Sequence, residues 1–141
     1  MTDIKTITQK ASAEGTNALS ATEKYVSLFR PDIFGKQKKS ESAEDDFFLM
    51  ADVLKLSAEI FFECASELLV SEEAIALKSP ETAAILHKKA VLLSGINDLC
   101  IEPFLKDIYG EAIKPTVDVG KIRQLANAFS VKLKNYIKII C

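Results

Sequence analysis

The residues of this chain best suited to proton or nucleophilic chemistry are one histidine, His87, and three cysteines, Cys64, Cys100 and Cys141. An imidazole changes charge near neutral pH, which makes a lone histidine the first candidate for an acid or a base. On a helix through this segment, His87 lies about 160° from the centre of the apolar stripe, towards Asp98. That placement describes an exposed side chain. A di-metal carboxylate bundle needs Glu-x-x-His pairs, and the chain has none. A zinc site needs paired short spacings of Cys or His, and the three cysteines are far apart. The glycines are isolated, with no phosphate-cradling loop, and no Gly-x-Ser-x-Gly turn occurs. The expectation is therefore no catalytic residue, no metal and no cofactor. Reduced thiols in a cytosol suit three scattered cysteines, and no secretory leader is visible after Met1, so the expected setting is cytoplasmic.

Glu59, Glu63 and Glu67 are the only regular carboxylate array. Glutamates at this spacing could hold a hard cation or move protons, but steps of four residues are above all the mark of one solvated helix face. They lie inside FFLMADVLKLSAEIFFECASELLV, residues 47 to 70, the most apolar stretch of the chain. Asp52 and Lys55 fall on the same stripe. Buried in a bilayer, each charge would cost on the order of 2.5–3.5 kcal/mol. The stretch is read as a central helix of a water-soluble bundle, with Phe47, Met50, Val53, Leu54, Ile60, Phe61, Cys64 and Leu68 facing inwards. Phe48 and Val70 fall near the charged stripe.

The other elements follow from periodicity and punctuation. Residues 3 to 29 read as one or two helices, weakened at Gly15 by about 1 kcal/mol and restarted at Ser20. Residues 31 to 44 read as a mobile loop carrying Lys36, Lys38 and Lys39. Glu44, Asp45 and Asp46 suit the positive end of the following helix dipole. Ser71-Glu72-Glu73 reads as a kink or restart. Ser79-Pro80-Glu81 is a strong helix start, with the serine as cap. Along that third helix Ile85, Leu92, Ile96 and Leu99 form the expected inner stripe, flanked by Leu86, Leu93 and Cys100, until Pro103 ends or bends it. Residues 110 to 117 read as a second loop. From Asp118 onward, Ile122, Leu125, Ala126, Phe129, Leu133, Tyr136, Ile137 and Ile140 keep helical spacing. The fold class is all-α, a bundle of four to five mostly antiparallel helices in one domain spanning residues 1–141.

Charge is unevenly placed. The chain has a net charge of −2, yet acids crowd the segment from Glu41 to Glu81, while Lys121, Arg123, Lys132, Lys134 and Lys138 meet no acid after Asp118. Side-by-side packing of the acidic and basic helices is one expectation; a surface for another protein is the other. With few arginines and an acidic block in the same chain, nucleic acid is not the expected partner. The sequence thus points to a non-enzymatic, protein-binding or regulatory module. Its contact residues are taken as Lys36, Lys38, Lys39, Lys121, Arg123, Lys134 and Lys138, with self-association into a homo-oligomer as a further option. Two alternatives stand beside it. One is a small-molecule or lipid-binding bundle with a cavity lined by Phe47, Phe61, Phe62 and Phe129. The other is an enzyme, nuclease-like, using His87 with Asp98 or nearby carboxylates.

Overall fold

The computed structural model describes residues 3–29, 36–38 and 43–141. Its elements in chain order are α1 (Ile4–Val26), β1 (Lys36–Lys38), α2 (Ala43–Ile75), α3 (Pro80–Ile96), a π-helical turn (Asn97–Ile101), α4 (Glu102–Ala112), β2 (Thr116–Asp118) and α5 (Val119–Ile140). Because α3, the π turn and α4 run on without a break, the architecture is an all-α bundle of four rods. Neighbouring rods are antiparallel: Lys10 of α1 meets Glu63 of α2, and Tyr25 meets Phe47. Among the described residues no helix is long and apolar enough to cross a membrane.

Helix α1 is one helix, with no restart at Ser20. Ile7, Ala11, Gly15, Ala18, Thr22 and Tyr25 form a single buried stripe through it. Gly15 is more than a weak point. A Cβ there would lie 2.9 Å from Cγ1 of Ile137, so the missing side chain lets α5 approach closely. Helix α2 also continues past Ser71, which is buried and donates its hydroxyl to the Glu67 carbonyl at 3.0 Å. Helix α3 starts as read, with Ser79 Oγ accepting from the Thr82 amide. Asp118 caps α5 in the same way, accepting from the Lys121 amide at 3.2 Å.

Four sequence expectations are corrected. The loop of residues 31 to 44 contains β1, which pairs antiparallel with β2 in the register Lys36 to Asp118 and Lys38 to Thr116; α2 already begins at Ala43, and the rest of that loop lies outside the described residues. The second loop is shorter than 110 to 117, because α4 reaches Ala112 and β2 starts at Thr116. On α3 the inner face is Ala83, Leu86, Ala90, Leu93 and Ile96, followed by Cys100, whereas Ile85 and Leu99 are each 57% exposed. Apolar residues surround α3 on every side, so periodicity has no contrast from which to choose a face. Val53 of α2 is likewise at the surface.

The fourth correction concerns charge. Helix α2 packs on α1 and α3, and α5 packs on α1, α3 and α4. The acidic and basic helices therefore stand at opposite corners and do not pair. Apolar burial decides which helices are neighbours, because solvent-exposed ion pairs contribute only about 0–1 kcal/mol each.

Candidate functional site

His87 is exposed, and its Nδ1 lies 3.1 Å from Glu72 Oε2 across the α2–α3 hairpin. Its partner is thus on α2, and Asp98 lines a separate groove. Among the described residues no group of three or more His, Cys, Asp or Glu side chains could hold a metal ion.

The larger concavity is an open groove of about 750 Å³ between α2 and the rod formed by α3, the π turn and α4. Glu59, Glu63, Asp98 and Glu102 line it, with Lys55 and Phe62. Two of the three regularly spaced glutamates therefore do converge on a site; Glu63 also meets Lys10 at 3.5 Å. Phe62 is 62% exposed. Composition suggests an aromatic centre that includes Phe62, but its spacing from Glu59 sets it on the charged side of α2.

The π turn that shapes the groove has a cause in the sequence. Pro103 has no N–H to give the Leu99 carbonyl four residues earlier, and its ring crowds that carbonyl. The backbone widens by one residue, so that the Glu102 amide reaches Asn97 O. Lys132 of α5 donates its ammonium to the Leu99 carbonyl. The helix thus passes Pro103 by way of the π turn without ending, with Asn97 and Asp98 at the groove wall. Such turns recur at functional sites.

Neither a family model, nor a curated protein, nor a solved structure matches this chain. The site is read from its own chemistry.

The basic residues fall into two groups. β1, carrying Lys36 and Lys38, is laddered to β2, directly before Lys121 and Arg123 of α5. Arg123 is already engaged, donating to the Phe29 carbonyl at 3.2 Å. Lys134 and Lys138 are exposed nearer the other end of α5. Lys39 lies outside the described residues.

The four phenylalanines do not surround one space. Phe47 and Phe61 are buried in the core, Phe129 stacks on Phe104 at 4.2 Å, and Phe62 faces the groove. A smaller pocket of about 310 Å³ lies elsewhere, between the last turns of α1 and the first turns of α2. Lys24, Tyr25, Leu28, Asp46, Leu49 and Val53 form most of its wall. Nothing in the sequence flags Tyr25, since its position on the α1 stripe reads as ordinary core.

Among the described residues, three groups have displaced ionisation. Burial pushes Tyr25 up to about 12, and the Asp46 carboxylate adds to it. Burial pushes the Cys100 thiol up to about 11, only partly offset by Lys132. The Cys64 thiol is raised too, mainly by burial. Buried protonated thiols are poor nucleophiles. All three cysteines are free, and Cys141 alone is exposed.

Proposed function

We propose that this chain is a helical protein-binding module, and that its docking site is the groove between α2 and the π-turn rod. The occupant is a basic, amphipathic peptide segment of another protein. One observation carries the reading: four carboxylates and an exposed phenylalanine, with Lys55 as the one cation among the described lining residues, share one open groove of about 750 Å³. Lysine or arginine side chains of the segment pair with Glu59, Glu63, Asp98 and Glu102, while an apolar residue covers Phe62. Charges at such a rim speed encounter and select sign, and the aromatic contact supplies affinity. A cytosolic setting accords with the free thiols.

The test is titration with a synthetic helical peptide bearing Lys on one face and Leu on the other. Saturable binding is expected, weakening as salt rises. Reversing Glu59 and Glu102 to Lys should weaken it by at least about tenfold, whereas reversing Lys134 and Lys138 to Glu should not. Equal binding to the groove variant and the parent overturns the assignment. Loss only in the Lys134/Lys138 variant moves the contact to the basic face of α5.

A further inference from the structure

The pocket between α1 and α2 has a feature that packing does not explain. Tyr25 lines it and is only 2% exposed, yet its hydroxyl has no hydrogen-bond partner among the described residues. A buried hydroxyl normally finds a partner, because leaving it unpaired forfeits the hydrogen bonds it makes with water. Asp46 lines the same pocket and lies close enough for its charge to act on that hydroxyl. The phenol stays protonated at any physiological pH, so it remains a donor. Around the mouth, Leu28, Leu49 and Val53 are exposed. The pocket thus has mostly apolar walls, one orphan hydroxyl, and one charge of each sign in Lys24 and Asp46. Its volume of about 310 Å³ falls at the lower end of small-molecule sites, about 300–1,000 Å³.

We infer that this pocket binds a small neutral molecule with an apolar body and a single hydroxyl. The ligand hydroxyl accepts from Tyr25 and donates to Asp46, while the body covers Leu28, Leu49 and Val53. The alternatives fit less well. A carboxylate could accept from Tyr25 and meet Lys24 but would be repelled by Asp46. An ammonium could pair with Asp46 and donate to the Tyr25 oxygen but would be repelled by Lys24. A plain hydrocarbon leaves Tyr25 and Asp46 unpaired. A neutral hydroxyl accepts from Tyr25 and donates to Asp46 without meeting either repulsion.

The probes are 1-hexanol, hexanoate and hexylamine, three six-carbon chains that differ in one end group. The readout is the methyl resonance of Met50, which also lines the pocket. Hexanol should shift it saturably, and at lower concentration than either ion. Tyr25→Phe keeps the ring and removes the donor; hexanol should bind it roughly three- to tenfold more weakly. Asp46→Asn removes the repulsion, so hexanoate should gain on hexanol. The inference is overturned if hexanol fails to shift Met50 up to its solubility, which would leave the pocket to water. It is equally overturned if the three probes bind alike, or if a folded Tyr25→Phe binds hexanol as tightly as the parent. Should Tyr25→Phe misfold, the change of preference in Asp46→Asn decides alone. Charge reversal at Glu59 and Glu102 leaves this site intact, so it stands or falls apart from the peptide groove.

Discussion

Helices α3 and α5 pack into the same core but present different outsides. The inner stripe of α5 is Ile122, Ala126, Phe129, Leu133 and Ile140, and most of its outer face is lysine, arginine or amide. The inner stripe of α3 is just as apolar, yet Ile85 and Val91 stand in solvent on its other sides, as does Leu99 on the π turn that follows. Helix α2, beside it, adds Leu56, Phe62 and Val70. The difference assigns the bundle two sides. One is finished mostly by charge, with Val131 and Ile139 as its large exposed apolar side chains; the other leaves more apolar area uncovered, in the neighbourhood where the groove opens. Contiguous exposed apolar surface marks contact surfaces more often than charge does.

The strongest challenge to this division is a pair of truncations, one in α3 and one in α5. Leu93 is fully buried, so Leu93→Ala should lose about 2–5 kcal/mol of stability in urea unfolding. On α5, Leu133→Ala should cost a similar amount, since it is equally buried. If Leu93→Ala cost no more than a surface change, the inner face of α3 would be wrongly assigned.

A second difference is electrostatic. Cys100 at the π turn and Tyr25 in the α1–α2 pocket have folded pKa values raised above their ordinary ones. The unfolded chain releases these protons first as pH rises, so stability must fall. It should be level below about pH 9 and drop between about 9 and 12, as first the unfolded thiol and then the unfolded phenol ionise. Tyr25→Phe should flatten the upper part of that fall. Melting temperatures across this range check both, and a rise with pH would contradict the burial of both groups.

A smaller effect tests what holds the π turn of the third rod. Lys132→Met removes the donor to the Leu99 carbonyl and should cost about 0.5–1.5 kcal/mol. In a Pro103→Ala background the Leu99 carbonyl regains an amide donor, so the same change should cost measurably less. Equal losses in both backgrounds would separate Lys132 from the π turn.

These contrasts also explain how far the sequence could be read. The core of α5 was legible because apolar and charged residues alternate there with helical period. Ser79 announced the start of α3 by cap chemistry, and apolar spacing from Asp118 onward announced α5. Helix α2 was correctly kept out of the membrane by its charges. The inner face of α3 was not legible, because Ile85 and Val91 are mixed among the polar residues of its outside. The pairing of β1 with β2 left no signal, since Lys-Gln-Lys carries no apolar alternation. For the groove, the stripe Glu59, Glu63, Glu67 pointed to half the wall, but Asp98 and Glu102 join it only through the turn at Pro103. The α1–α2 pocket depends on a distance between helices, and Tyr25 reads the same whether its hydroxyl is paired or orphaned.

The smallest expected effect discriminates most finely between the two sides. Ile85 is more than half exposed, so Ile85→Ala should change stability by no more than about 0.5 kcal/mol in dilute solution. This holds only if water covers that face. Were a second copy of the chain seated on it, Ile85 would be buried in the assembly, and its truncation would lower the melting temperature more at high protein concentration than at low. Light scattering on the same samples gives the mass directly. A monomer with a silent Ile85→Ala leaves the apolar face of α3 free for a different protein. A concentration-dependent loss would assign it to self-association and confine the partner peptide to the acidic groove.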